Sequence, residues 1–312
     1  MQKKLWNNII AAIMPLQNCA LYLLITSMKF NRKYVIIAVC LLCWAGFRNC
    51  KTLELRMSDQ EIVQAMRSTG YSPQVYYKKI HGRIIRYIKA GNDSLPKLIC
   101  LHGSPSSLSA WRALFADSNF LNHYQVIAID RPGYGYSGFG NIELNLQRQV
   151  QLLQPIIDSI TYNNTAILLG ASYGGPVATQ LAANLPGRFC QLVLLSSSLQ
   201  PGKEKTYWFS YVMAFPLVKY LFPATFRMSS QEKLSHAAQL KTLSGWEKVF
   251  CKVMIIHGDE DNLVYYDNAV YAKNKLLNAA EIKLVTMNAK GHAVIFSDPG
   301  FIRQILLQNL EK

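Results

Sequence analysis

The chain has 312 residues, 50% of them hydrophobic, enough for one large domain of roughly 250 residues with additions. Its 33 Lys and Arg outnumber 18 Asp and Glu, giving a formal net charge of +15, and residues 1–57 hold eight of the basic residues with a single acid. No Arg/Lys stripe with interleaved aromatics and no zinc-finger, RRM-like or KH-like pattern accompanies this excess, so nucleic acid is set aside as a partner and membrane targeting fits better.

In chain order, the first feature is the apolar run Tyr34–Phe47, preceded by Lys29, Arg32 and Lys33 and followed by Arg48 and Lys51. It reads as a signal-peptide core or a short signal anchor, with Met28 opening an ordinary basic n-region for it. No small-x-small cleavage site follows Phe47, so an uncleaved anchor is expected, holding the main domain at a membrane on its non-cytoplasmic side. The run is short for a span, and a buried core helix is the alternative. The earlier run Ile9–Ile25 is broken by Pro15, Gln17 and Asn18. The expected organisation is a targeting segment over 1–57 and a main domain over 58–312.

Val75–Lys79 and Ile84–Ile88 flank His81-Gly82-Arg83, the pattern of an antiparallel hairpin at a sheet edge. From Lys97 onward, short apolar runs at Lys97–Leu101, Gln125–Ile129, Ala166–Leu169, Leu192–Leu195, Val253–Ile256 and Ile282–Val285 read as strands covered on both faces. Helical patterns over Glu143–Ile160, Tyr173–Leu185, Tyr265–Leu277 and Phe301–Leu310 alternate with them. Strand and helix in alternation imply an α/β fold, a mostly parallel central sheet with helices on both faces. Residues 199–248 interrupt the alternation with an aromatic-rich stretch, which reads as a helical lid inserted over the strand ends. The seven cysteines are odd in number and scattered through apolar runs, as core residues would be.

The chemistry concentrates at Gly170-Ala171-Ser172-Tyr173-Gly174, a G-x-S-x-G placed between a strand and a helix. Such a turn strains the serine, exposes its hydroxyl and puts a helix N-terminus behind the charge that develops on reaction. A serine needs a base, and the base needs an orienting acid. Of six histidines, His292 alone falls between the last strand and the last helix, where a chain order of Ser, acid, His requires it; His102 and His257 end strands in His-Gly pairs that look structural. The acid belongs after Val253–Ile256, where Asp259, Glu260 and Asp261 all stand, and position does not choose among them.

Leu101-His102-Gly103-Ser104-Pro105, Asp130-Arg131-Pro132-Gly133-Tyr134-Gly135-Tyr136-Ser137, the serine motif, Gly258-Asp259-Glu260-Asp261-Asn262-Leu263-Val264 and Gly291-His292 occur in one order. From about Val75 onward, the chain thereby resembles the α/β-hydrolase family of the single-domain, lidded kind. That resemblance implies the α/β-hydrolase fold, and its G-x-x-D-x-x-V pattern selects Asp261 as the acid. It also implies an oxyanion hole from the backbone N–H of Tyr173 and a second N–H after the His102 strand; Pro105 has none to give, which leaves Ser104. Relatives that open epoxides or remove halide carry aspartate where Ser172 stands, so the resemblance points to an esterase-like serine hydrolase acting on a small, apolar acyl substrate. Peptidase, C–C hydrolase and perhydrolase chemistry share the triad, and a silent hydrolase-fold binding protein is the non-enzymatic alternative. No metal or organic cofactor is expected. Gly133-Tyr134-Gly135-Tyr136-Ser137-Gly138 also fits G-x-G-x-x-G, but Arg131 and Pro132 separate it from the strand and no helix follows directly, against dinucleotide binding.

Overall fold

The computed structural model describes residues 32–48, 51–162 and 165–310. Two compact units divide after Asn49. In the first, helix α1 spans Arg32–Arg48. The second unit carries everything that follows.

The sheet has eight strands, β1 (Gln74–Ile80), β2 (Arg83–Ala90), β3 (Lys97–Leu101), β4 (Gln125–Ile129), β5 (Ala166–Ala171), β6 (Phe189–Leu195), β7 (Lys252–Gly258) and β8 (Ile282–Met287). Their order is β1-β2-β4-β3-β5-β6-β7-β8. The β1–β2 hairpin pairs antiparallel, β2 lies antiparallel to β4, and every later pair is parallel. The parallel pairs force helical crossovers, and these cover both faces. Ile167 and Leu169 of β5 enter one core and Leu168 the other, as the two-residue period of a strand demands. Helices α3 (Leu146–Ile160), α4 (Gly174–Asn184) and α7 (Asp267–Lys275) pack on the Leu168 face, α2 (Asp59–Met66) and α8 (Pro299–Asn309) on the other. The sequence pattern passed over α2, which its capping box announces: Glu61 N–H donates to Ser58 Oγ at 3.3 Å and Ser58 N–H donates to Glu61 Oε2 at 2.6 Å.

Between β6 and β7 the chain leaves the sheet for helices α5 (Trp208–Ala214) and α6 (Ala224–Leu240). Glu204 pairs with Val264 in an antiparallel bridge, and Lys205 N–H donates to Leu263 O at 2.8 Å. The insert is thereby stitched to the loop after β7 before its helices begin.

The membrane expectation is overturned. The run Tyr34–Phe47 lies within α1, whose 17 residues rise about 26 Å at 1.5 Å each. A hydrocarbon core is about 30 Å thick, and Arg32, Lys33 and Arg48 occupy the helix ends. No helix among the described residues is long and apolar enough to cross a membrane. Neither the anchor nor the non-cytoplasmic placement drawn from it stands. The run Ile9–Ile25 and the alternative start at Met28 lie outside the described residues.

Candidate active site

Ser172 follows β5 directly and precedes α4. Its φ is +49°, in the left-handed region that costs a side chain roughly 1–2 kcal/mol. Two glycines make the turn possible. A Cβ on Gly170 would stand 2.5 Å from the carbonyl oxygen of Gly174 and 2.7 Å from Ala178 Cβ, and one on Gly174 would collide with the carbonyl of Leu101. The serine N–H donates to Leu195 O at 2.9 Å, which ties the turn to β6.

His292 and Asp261 meet this serine from the loops after β8 and β7. Ser172 Oγ and His292 Nε2 are 3.0 Å apart, and His292 Nδ1 lies 2.7 Å from Asp261 Oδ2. The other carboxylate oxygen of Asp261 accepts the N–H groups of Leu263 at 3.0 Å and Val264 at 2.8 Å. Burial opposes ionisation of Asp261, but hydrogen bonds from His257 and His292, the His292 charge and the Val264 N–H outweigh it and hold the carboxyl well below its usual range. An ionised Asp261 can only accept, so the proton between them is on His292 Nδ1, and in the neutral imidazole Nε2 is then the nitrogen free to accept the serine hydroxyl. Asp259 is exposed and accepts from Ala289 N–H at 2.8 Å, and Glu260 is exposed. The structure brings together Ser172, His292 and Asp261 and leaves the other two acids outside.

Ser104, Pro105, Ser172 and Tyr173 line one cavity of about 270 Å³. Among the described residues, neither the Ser104 nor the Tyr173 backbone N–H is engaged by another group. From the insert, Tyr207, Phe209, Met213 and Phe226 line the cavity, and the loop after β7 adds Leu263. No group of three or more His, Cys, Asp or Glu among the described residues is placed to hold a metal.

Behind the loop bearing Ser104 lies a buried charge network that reading the sequence left out. Arg131 Nε donates to His102 O at 2.8 Å and its Nη2 to Gly103 O at 3.2 Å. The same guanidinium meets both carboxylate oxygens of Glu232 on α6, at 2.7 and 3.2 Å. Tyr134 Oη donates to Glu232 Oε2 at 2.6 Å and sits 2.8 Å from Ser104 Oγ. Arg131 and Glu232 are fully buried. Burial raises the Glu232 carboxyl, yet the Arg131 charge and its hydrogen bonds, with those of Tyr134 and Ser104, carry the balance to the ionised side. His102 is structural as expected: Nε2 accepts Arg131 N–H at 2.9 Å, Nδ1 faces Gly103 O at 2.7 Å, and burial keeps the ring neutral. His257 has a further task. Its Nε2 donates to Val264 O at 2.8 Å and lies 3.5 Å from Asp261 Oδ2, framing the acid.

The G-x-G-x-x-G-like stretch is a turn. Asp130 accepts the N–H groups of Leu108 at 2.7 Å and Tyr136 at 2.9 Å, a Cβ on Gly135 would overlap the Asp130 carboxyl, and α3 starts only at Leu146.

The signal for Glu232 was an i, i+4 series. Met228, Glu232, His236 and Leu240 are all buried on α6 and share one face. Because two members are ionisable, hydrophobic periodicity does not mark that face as inward.

Comparison with known proteins follows the same outline. The profile described as "Alpha/beta hydrolase family" matches residues 98–305, more than half of the chain. Epoxide hydrolase 4 of Mus musculus is 28% identical over 120 residues, 38% of this chain and 33% of that protein. Pimeloyl-(acyl-carrier protein) methyl ester esterase of Pectobacterium carotovorum subsp. carotovorum (strain PC1) is 34% identical over 110 residues, 35% of this chain and 38% of that protein. The matched stretch thus spans little more than a third of these curated relatives. Among solved structures, a putative lipase from Acinetobacter baumannii AYE superposes with a TM-score of 0.61 at 20% identity, covering 81% of this chain and 95% of that one, a likeness of fold. With the profile matched across β3 to α8, the chain belongs to the alpha/beta hydrolase family.

Proposed function

We propose that the protein is a serine hydrolase that cleaves a carboxylic ester or related acyl bond through an acyl-enzyme. The observation that carries this reading is the unbroken chain from Ser172 Oγ through His292 to Asp261, at 3.0 and 2.7 Å. In the acylation step Ser172 Oγ bonds to the acyl carbon while its proton passes to His292 Nε2, and Asp261 stabilises the imidazolium. The N–H groups of Tyr173 and Ser104 receive the oxyanion. The leaving group departs with the proton from His292. Water, deprotonated by the same histidine, then releases the acid and restores the serine.

The esterase among the relatives supports ester hydrolysis. Epoxide opening is the weaker assignment, because the position that carries an aspartate in such enzymes holds Ser172. The cavity of about 270 Å³ lies near the lower end of ligand sites, which run from about 300 to 1,000 Å³, and suits a small substrate. The insert serves as its lid.

A fluorophosphonate probe and a chain-length panel of p-nitrophenyl esters test the reading. Wild type should be labelled at Ser172 and turn over the shorter esters, and Ser172→Ala should lose the label and lower kcat by on the order of 10⁵-fold or more. Labelling that survives in the mutant would place the nucleophile elsewhere.

A further inference from the structure

Helix α5 carries apolar residues on both of its faces. Phe209 and Met213, four apart, line the cavity, and Ser210 is buried beside them. Trp208, Tyr211, Val212 and Phe215, at i, i+3, i+4 and i+7, share the opposite face, and all four are exposed. The chain runs on through Leu217, 83% exposed, and Tyr220, which is exposed as well. Single apolar residues on a surface are ordinary. So many gathered in the one stretch 207–221 mark a surface that gains by being covered.

The charge around this stretch has one sign. Lys205 Nζ lies 5.0 Å from the centre of the Tyr207 ring, Lys219 Nζ 5.1 Å from that of Tyr220, and the Arg227 guanidinium 5.0 Å from the same Tyr220 ring. No acidic residue stands between Glu204 and Glu232 in the sequence, and both of those are engaged inside, Glu204 with Lys233 at 3.1 Å and Glu232 with Arg131 at 2.7 Å. Trp and Tyr join an apolar body to a polar tip, and Lys and Arg lay their stems along apolar surface while the charged ends stay in water. Rings and cations mixed in this way match the boundary between lipid headgroups and acyl chains. A second copy of the chain complements the face poorly, since it would bring the same three cations against their like. Tyr207 and Phe209 are exposed and also line the cavity, so whatever covers the outer face adjoins the cavity too.

We propose that the outer face of the insert, from Trp208 to Tyr220, docks on a lipid surface with anionic headgroups, which brings acyl substrate dissolved in the lipid to the cavity. The contact is made by side chains at the surface and involves no segment that crosses it. The rings enter the headgroup boundary, and Lys205, Lys219 and Arg227 meet the anionic headgroups. Delivery of an acyl substrate rests on Ser172 being the nucleophile; docking itself does not.

Sedimentation of the full chain with vesicles of phosphatidylcholine, and of phosphatidylcholine with about one quarter phosphatidylglycerol, tests the docking. Wild type should bind the mixed vesicles about tenfold or more tightly than the neutral ones, and added salt should shrink that difference. Trp208→Asp combined with Leu217→Asp should weaken binding to the mixed vesicles about tenfold or more. Lys205→Gln, Lys219→Gln and Arg227→Gln together should remove the preference for them. Thermal unfolding checks that each variant is folded; should the aspartate pair fail to fold, the glutamine variant decides the matter. Failure of wild type to bind either vesicle, or undiminished binding by the folded aspartate pair, would overturn the docking face. A dimer in light scattering that Leu217→Asp dissolves would give the face to a second copy and overturn it equally. Absence of a fluorophosphonate label strikes the serine-hydrolase reading and the delivery of substrate with it, while sedimentation still decides the docking.

Discussion

Ser172, Asp261 and His292 stand at the ends of β5, β7 and β8, whereas Glu232 and His236 come from the middle of a helix inserted between β6 and β7, where His236 lines the cavity and Glu232 is buried behind it. The first group is held by short loops whose backbone is fixed by a parallel ladder, so each side chain is placed by the strand before it. The second is held by side chains alone, through ionic and hydrogen-bonded contacts to Arg131, Tyr134, Ser198 and Glu204. Groups placed by backbone and groups placed by side chains should respond differently to substitution.

The largest effect belongs to the strand ends. Asp261→Asn should lower kcat by roughly 10⁴-fold, since an amide in place of the carboxylate favours the wrong imidazole tautomer, while Asp259→Asn keeps most activity. Steady-state kinetics on a short ester decide it, and the opposite ranking would move the acid to Asp259.

Next comes the contact that joins the two regions. Glu232→Leu leaves Arg131 buried without its partner and should cost about 3–5 kcal/mol in denaturant unfolding. The double change Arg131→Met with Glu232→Leu should recover most of that stability. It should not recover kcat, because the carbonyls of His102 and Gly103 lose the guanidinium that holds them, and a misplaced oxyanion loop costs up to about 10²-fold. Full activity in a stable double variant would make the insert a cover and nothing more.

A smaller, pH-dependent effect follows from Asp261. Its carboxyl is held below its unfolded value, so the stability it contributes is fully present above about pH 4 and is lost as pH falls through the folded value. The gap in unfolding free energy between wild type and Asp261→Asn should therefore be flat near neutrality and close on acidification. A gap that widens in acid has the sign reversed.

The smallest effect is expected at Trp208, which is 76% exposed on α5. Trp208→Ala should shift stability by less than about 0.5 kcal/mol and alter acyl-chain preference only modestly. Uniform loss across all esters in a folded variant would contradict a lid.

The same division explains what was legible in the sequence. Strands such as Gln125–Ile129 are apolar in all but their first residue because both faces are covered, and the elbow at Ser172 needs glycines at fixed offsets, so both leave a local pattern. Asp261 was ambiguous by position, since three acids share one turn, and the contact with His292, 31 residues on, that separates it from the other two is a tertiary fact. Glu232 and His236 were invisible as inward residues, because each is polar by type and is buried only with a partner distant in sequence. The basic flanks of Tyr34–Phe47 misled for a related reason: they resemble targeting signals, but helix length decides whether a segment can span, and α1 falls short.

The Arg131–Glu232 pair also limits how freely this architecture can be rearranged. An insert hung between two neighbouring strands looks exchangeable, since the parallel ladder runs past it unbroken from β6 to β7. Swapping it for a segment from another lineage, however, removes the carboxylate that neutralises a guanidinium with no exposure to water. A viable graft must therefore bring an acid to that point on its helix, or arrive together with a neutral residue at position 131. Diversification of the insert is tied in this way to position 131.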